Sequence, residues 1–145
     1  MTAQTSRTVE QMTIGATASH SVTIDAEMIV AYAAMTGDHN PIHEDAAYAE
    51  RTRFSRPVAH GLLVGGFIQT ALTKLVAPGG VSTNYQLDLL APAFVGATIT
   101  ASATCTRLDL VSRRATFTTT VLDDETRTKL ISGTAVVAFP KGEHR

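Results

Sequence analysis

The segment from His60 to Val76, "HGLLVGGFIQTALTKLV", constrains the fold most, because it is apolar on nearly every face. A helix of this kind is buried on most sides rather than lying on a surface. At 1.5 Å per residue its 17 residues would extend about 25 Å, enough to run along the hollow of a small curved sheet. The Pro78-Gly79-Gly80 run ends the helix.

From Val81 onward the hydrophobic period changes to two, which is typical of strands with one buried face. Four stretches rich in Thr, Val, Ile and Phe follow one another: "VSTNYQLDLLAPAF", "ATITASATCTRLDL", "RRATFTTTVLDD" and "TKLISGTAVVAF". Short turn sequences separate them, so they predict an antiparallel meander.

Upstream, residues 16 to 23 alternate loosely and predict one further strand. Asp25 is a helix cap for "AEMIVAYAAMTG", and Gly37 falls where a left-handed glycine ends a helix. The larger side chains at helical spacing predict its buried face: Met28, Ile29, Tyr32 and Met35. "EDAAYAER" predicts a short helix that begins at Asp45, which leaves His43 in the connecting turn.

The chain of 145 residues is the length of one domain, and neither its helical nor its strand half is long enough for a good core of its own. We therefore predict a single α+β domain over 1–145, with a sheet wrapped around the long helix. The first twelve residues, "MTAQTSRTVEQM", are expected to form a flexible N-terminal segment.

Composition argues against several classes of partner. Twelve basic and thirteen acidic residues give a net charge of -1 without separating along the chain, so charge attracts neither nucleic acid nor an anionic membrane. No apolar run reaches the ~18 residues of a membrane span, and the N-terminus lacks a secretory apolar region, so a cytoplasmic location is expected. The single Cys105 is expected to be a small buried hydrophobe.

The stretch "TGDHNPIHEDAAYA", residues 36 to 49, places Asp38 and His43 on either side of Pro41. One interpretation is structural, because Asp and Asn side chains in such turns satisfy local backbone donors. The other is chemical: a carboxylate and an imidazole brought close by the chain reversal can hold and deprotonate one water at neutral pH. His39 and His43 are four apart, but Pro41 between them argues against a helical zinc pair, so no metal site is predicted.

"MTGDHNPIH", followed about a dozen residues later by "RPVAHGLL", resembles the MaoC-type (R)-specific enoyl-CoA hydratases of the hot-dog fold. The chain matches the hydratase motif of that family at five positions: Gly37, Asp38, Asn40, Pro41 and His43. The block "LLAPAFVGATITASATC" also fits, and the resemblance extends from roughly Thr17 to Phe139.

The resemblance implies a hot-dog domain that adds water reversibly to trans-2-enoyl thioesters, with syn geometry and an (R)-3-hydroxyacyl product. It implies that Asp38 and His43 hold and activate the water, and that Asn40 and Pro41 support the turn. The implied substrate is a thioester of coenzyme A or acyl carrier protein, with no separate cofactor. A homodimer joined edge to edge, or a higher oligomer built from dimers, is also implied.

Several glycines and basic residues near this motif allow two interpretations. The Gly61 amide lies in the first turn of the long helix, where it can stabilise a developing oxyanion or merely ease the turn. Gly65 and Gly66 either allow close packing or make room for an acyl chain; some relatives carry a serine near this point. Arg53 and Arg56 either lie on the solvated surface or bind the phosphates of coenzyme A. His60 is either a structural support that hydrogen-bonds the segment at Pro57, which is the interpretation we favour, or a second catalytic base.

Two other functions remain open at the level of sequence. One is an acyl-CoA thioesterase on the same fold, in which a carboxylate would act at the carbonyl carbon. The other is a non-catalytic subunit that binds acyl thioesters within a heteromeric dehydratase. The presence of both Asp38 and His43 favours an active hydratase, because a silent subunit has no chemical need for either.

Overall fold

In the computed structural model, which describes residues 4–142, a five-stranded antiparallel sheet wraps around one long helix. A single 3-10 turn, Val9–Gln11, precedes the following elements: β1 Thr17–Thr23, α1 Ala26–Thr36, α2 Pro41–Glu44, α3 Ala46–Glu50, α4 Gly61–Val76, β2 Val81–Leu89, β3 Thr98–Asp109, β4 Arg114–Asp123 and β5 Lys129–Ala138. The α+β hot-dog arrangement predicted from the sequence is confirmed.

The strand order is β1-β3-β4-β5-β2, so only β3, β4 and β5 form a meander. The prediction of a four-strand meander was wrong for β2, which pairs with β5 at the far edge. The reason lies in the segment between β2 and β3, which is too long for a tight hairpin. At one end of it the Leu90 N–H bonds to the Leu130 carbonyl, and at the other the Gly96 N–H bonds to the Ile24 carbonyl. The segment therefore crosses from one edge of the sheet to the other.

Helix α4 packs one face into the sheet and leaves the other uncovered within this chain. The buried face consists of Val64, Gly65, Ile68, Ala71, Leu72 and Val76. Leu62 is 64% exposed, and Gln69 and Lys74 also face solvent. The prediction of a helix buried on nearly all sides was therefore wrong for this second face, because five strands can cover only one side of a helix.

Helix α1 is capped as the sequence predicts. The Asp25 carboxylate accepts a hydrogen bond from the Met28 N–H at 2.8 Å, and Gly37 takes the left-handed conformation at φ 80°. Its buried face is formed by Ile29 and Ala33, one turn apart, whereas Met35 is 77% exposed. The prediction was correct for Ile29 and wrong for Met35, because the small Ala33 completes the buried stripe.

The N-terminal segment is packed from Arg7 to Met12. The side chains of Val9 and Met12 belong to the core cluster, and the Arg7 N–H donates to the Pro78 carbonyl at 2.7 Å. The flexible segment expected over 1–12 is therefore wrong for residues 7 to 12, since two apolar side chains anchor it. Positions 1 to 3 of that segment lie outside the described residues.

Two further expectations concern Cys105 and membrane insertion. Cys105 is buried, and this burial raises the pKa of its thiol, as for a small core hydrophobe. Between residues 4 and 142, no helix combines the length and the apolar character that crossing a membrane requires.

Candidate active site

The chain reversal after α1 places Asp38 at a helix end. Gly37 ends the helix, and Asp38 follows with its side chain exposed. The Asp38 Oδ1 atom accepts a hydrogen bond from the Asn40 N–H at 3.1 Å, and the Asp38 N–H donates to the Thr36 hydroxyl at 3.3 Å. The carboxylate is thus oriented by its immediate neighbours.

The next element, α2, carries His43. Asn40 caps this one-turn helix by accepting a hydrogen bond from the Ile42 N–H at 3.3 Å, and Pro41 occupies its first helical position. The sequence predicts His43 in the turn that joins two helices; the structure instead places it inside a one-turn helix between them. Proline fits the first helical position, because its fixed φ suits a helix and its missing N–H is not needed there.

His43 is half-buried, and its ring is fixed by a backbone carbonyl. Its Nδ1 lies 2.7 Å from the Val58 carbonyl oxygen. A carbonyl only accepts, so Nδ1 carries the proton and Nε2 is left with a free lone pair. A carboxylate oxygen of Asp38 and one ring nitrogen each of His43 and His60 lie within 4.8 Å of one another. The structure therefore brings the two predicted catalytic side chains together.

His60 is the buried member of this cluster, with 3% of its surface exposed. Its Nε2 lies 3.0 Å from the backbone oxygen of Asp38. Its ring stacks on His43 at a centroid distance of 3.8 Å and also lies beside Tyr32, at a centroid distance of 4.8 Å and tilted by 51°. The predicted hydrogen bond from His60 to the Pro57 segment was wrong, because His43 bonds to that segment through Val58 and His60 bonds to Asp38.

The same three side chains are near enough to raise the question of a metal ion. Zinc needs ring nitrogens that point at it from about 2.1 Å. The centroids of the His43 and His60 rings are 3.8 Å apart and the rings are stacked, with only 28° between their planes, so their in-plane lone pairs do not converge on one point about 2.1 Å from both nitrogens. The arrangement does not fit a metal centre, and the prediction of a metal-free site stands as a prediction.

Gly61 follows His60 and opens α4. Among residues 4–142 its N–H has no backbone partner, as expected at the first position of a helix. A Cβ on Gly61 would lie 2.5 Å from the Leu89 Cδ1 atom, so the absence of a side chain lets β2 pack here. Leu89 was missed from the sequence, although the period of two places it on the same face of β2 as Leu87 and Tyr85.

The two helix glycines that follow serve different purposes. A Cβ on Gly65 would lie 3.2 Å from Leu87, which indicates close packing against β2. A Cβ on Gly66 would meet no atom of residues 4–142 outside its own helix backbone within 4 Å. Gly66 faces an apolar cavity of about 180 Å³, the α4–β2 groove, which is lined by Leu62, Gly65, Gly66, Gln69, Tyr85 and Leu87.

The two arginines differ in their surroundings. The Arg56 guanidinium lies 3.9 Å from the centre of the Phe94 ring, so stacking holds it in place. Arg53 lies over Phe54 at 4.7 Å and borders a second cavity, of about 210 Å³, which extends to Gly61 and Leu89. Arg53 is therefore the one of the pair that lies at an opening onto the end of α4.

Comparison with known proteins identifies the family of the chain. Residues 8–126 match the family model described as "MaoC like domain". The chain is 38% identical to an (R)-specific enoyl-CoA hydratase of Rhodospirillum rubrum, over 77% of this chain and 78% of that protein. It is 34% identical to a 3-hydroxybutyryl-CoA dehydratase of Methylorubrum extorquens, over 92% and 85% respectively.

Among solved structures, the (R)-hydratase from Aeromonas caviae superposes with a TM-score of 0.86 at 32% identity, covering 90% of this chain and 99% of that one. The unliganded R-hydratase from Pseudomonas aeruginosa gives 0.85 at 26% identity, covering 94% and 87%. The family match extends over most of the chain and includes the Asp38 turn and α4. With the fold and the sequence in agreement, this chain belongs to the MaoC-like domain family.

Proposed function

We propose that the protein catalyses the addition of water to trans-2-enoyl-CoA thioesters to give (R)-3-hydroxyacyl-CoA, together with the reverse dehydration. The observation that carries the proposal is the placing of the Asp38 carboxylate and an imidazole nitrogen within 4.8 Å of each other, beside the N-terminus of α4. Relatives at 38% and 34% identity named as a hydratase and a dehydratase support the same reaction.

In the proposed mechanism Asp38 and His43 hold one water between them. The free Nε2 of His43 can accept a proton, because its Nδ1 is engaged with Val58. The oxygen of the water bonds to C3 of the substrate as the C2–C3 double bond opens, and a proton is delivered to C2 on the same face. The proton lost by water is balanced by the proton gained at C2, so the enzyme returns to its initial state.

Negative charge builds on the thioester oxygen during this step, and a fixed donor stabilises it. The Gly61 N–H is available for that purpose, and it lies at the positive end of the α4 dipole. Every step is a proton transfer or an addition, so no redox cofactor or metal ion is needed. Coenzyme A takes part only as a portion of the substrate.

The surroundings of Gly61 suggest how a thioester is held. We assign the acyl chain to the α4–β2 groove, where Gly66 leaves open space and the lining is mostly apolar. We assign the phosphates of coenzyme A to Arg53, which borders the cavity that reaches Gly61. Arg56 is a weaker candidate, because its guanidinium already stacks on Phe94.

A homodimer formed along the β2 edge fits the distribution of exposed apolar side chains. Val81, Leu89 and Leu90 are each more than half exposed on or beside this edge strand, and Leu62 is exposed on the adjacent α4. The opposite edge strand, β1, instead presents hydroxyls such as Thr17 and Ser21. Pairing of two β2 edges would cover apolar surface, whereas pairing of two β1 edges would not.

The direct test is an ultraviolet assay with crotonyl-CoA and longer enoyl-CoAs. We expect the absorbance of the conjugated thioester to fall on addition of the protein, and chiral analysis to identify the (R)-3-hydroxyacyl product. Release of free thiol without hydration would instead indicate a thioesterase. Binding of enoyl-CoA with no turnover would indicate a non-catalytic subunit, and either result would overturn the proposal.

A further inference from the structure

We propose that His60 is a positioning residue for catalysis, and that it acts by holding the backbone of Asp38 rather than by stacking on His43. This inference rests on the proposed hydratase function of the same site. His60 is buried at the N-terminal boundary of α4 and contacts both members of the catalytic pair, Asp38 through its Nε2 and His43 through its ring face. Because the two contacts use different parts of the ring, mutation can separate them.

Asp38 depends on His60 for its link to the protein core. Within residues 4–142, its side-chain and N–H hydrogen bonds reach only Asn40 and Thr36, two residues away in either direction. These local bonds move with the turn and do not fix its position. The hydrogen bond from His60 Nε2 to the Asp38 carbonyl, at 3.0 Å, joins residues 22 apart in sequence. Among the described residues it is the hydrogen bond that ties Asp38 to the start of α4, where Gly61 lies.

His43 has more contacts that fix its position than Asp38 has, so it depends less on His60. Its Nδ1 donates to the Val58 carbonyl at 2.7 Å, which fixes the ring, and its N–H donates to the Asn40 carbonyl at 3.0 Å within the α2 turn. The stack with His60 adds a third contact to a side chain that is already oriented. Loss of the stack alone should therefore change catalysis little.

The Nδ1 atom of His60 also supports a positioning role for this residue. A carbonyl can only accept, so the His60 Nε2 carries the proton in the bond to Asp38. Its Nδ1 is buried, and residues 4–142 offer it no hydrogen-bond partner. An unpaired buried nitrogen destabilises the fold, and a phenyl ring of similar size would avoid that cost. The benefit of histidine here therefore lies in the Nε2 donor and not in packing.

Two variants separate the contacts. His60→Phe keeps a ring to stack on His43 and removes the donor, so we expect a melting temperature equal to or above that of the wild type. Its kcat should nevertheless fall about 10- to 100-fold, as for a misplaced catalytic group, with KM changed less than about threefold. His60→Gln keeps an N–H that can reach the Asp38 carbonyl and removes the ring. We expect a lower melting temperature with kcat within about fivefold of the wild type.

A purely structural role predicts the reverse pattern, in which activity follows stability. Full kcat in His60→Phe, or an equal loss of kcat in a folded His60→Gln, would overturn the proposal. Nitrogen-15 NMR of the wild type tests the hydrogen bond without any mutation: the Nε2–H tautomer is expected, and an Nδ1–H tautomer would contradict it. If the wild type hydrates no enoyl-CoA, the proposed function fails, and the NMR result still decides the hydrogen bond.

Discussion

The turn that carries Asp38 and His43 and the α4–β2 groove are built on opposite principles. The turn, residues 36 to 44, is largely exposed and is held by directed hydrogen bonds, including the Asn40 cap and the bond from His43 to Val58. The groove is mostly apolar, and its shape comes from a side chain that is absent at Gly66. Polar contacts therefore determine the geometry of the turn, whereas unfilled space determines the shape of the groove.

This difference predicts a division of labour within the site. Hydrogen bonds fix atoms to within tenths of an ångström, which chemistry requires, whereas an apolar space tolerates ligands of different length. Changes in the turn should therefore lower kcat for every acyl chain. Changes in the groove should alter the preference among acyl chains and leave the chemistry of a short substrate intact.

The largest effect is expected for Asp38→Asn. Asparagine keeps the shape of the side chain, and its carbonyl oxygen can still accept the hydrogen bond from the Asn40 N–H. It carries no negative charge, so it cannot help His43 to polarise the water they hold between them, and kcat should fall about 10³-fold, the size of a lost acid–base contribution. Steady-state hydration of crotonyl-CoA and of a longer enoyl-CoA measures the loss for both substrates.

Because Asp38 belongs to the turn and not to the groove, the fall in kcat should be the same for short and long acyl chains. The Asp38 side chain is exposed, so circular dichroism should show an unchanged fold and melting temperature. Full activity in a folded Asp38→Asn protein would remove the carboxylate from the mechanism. A loss confined to long chains would instead mean that Asp38 contributes to the groove.

A smaller and selective effect is expected for Gly66→Leu. A leucine side chain would project into the α4–β2 groove, since Gly66 lines this groove and a Cβ there has no neighbour within 4 Å in the described part of the chain. The kcat/KM for long enoyl-CoAs should fall by about 10- to 100-fold, while that for crotonyl-CoA stays within about threefold. A series of enoyl-CoAs of increasing length measures where the fall begins.

Gly66→Ala is the matched control for this substitution. It adds one methyl group without contact and replaces a glycine inside a helix, so it should raise stability by about 0.5 to 1 kcal/mol. Its chain-length preference should lie between those of the wild type and Gly66→Leu. An unchanged preference in Gly66→Leu would show that the acyl chain lies elsewhere.

The sequence predicted the fold through features that repeat along the chain. The apolar run at α4 and the period of two after Val81 each extend over many residues, so local exceptions do not obscure them. The place of β2 at the far edge was not predictable in this way, because it depends on where the segment after Leu89 crosses. The exposed face of α4 was also not predicted. The sequence shows that a side chain is apolar, but it does not show whether other residues of the same chain cover it.

The site followed a similar rule. The proximity of Asp38 and His43 could be inferred from their shared short turn, and the structure brings the two groups together. The partners of His60 could not, because its bond to Asp38 joins residues far apart in sequence. The distinct surroundings of Gly65 and Gly66 were equally hidden: adjacent glycines look alike until β2 is placed beside one of them.

The smallest effect is expected for Arg53→Ala, which lies outside both regions. An exposed ion pair contributes at most about 1 kcal/mol, so KM for enoyl-CoA should rise about two- to fivefold while kcat is unchanged. The wild-type KM should rise with salt more steeply than that of the variant, because screening weakens an attraction that the variant has already lost. Steady-state kinetics at two ionic strengths measures both quantities.

Arg114→Ala removes the same charge at the other end of the sheet. Arg114 pairs with Ala138, which pairs with Val81 at the start of β2, whereas Leu89 at the end of β2 is the residue that packs on Gly61. A general effect of net charge would raise KM equally in both variants. An increase in Arg53→Ala alone would assign the phosphates to the cavity beside Gly61. An unchanged KM in both would mean that neither arginine contacts the substrate, and the turn and the groove would then account for recognition by themselves.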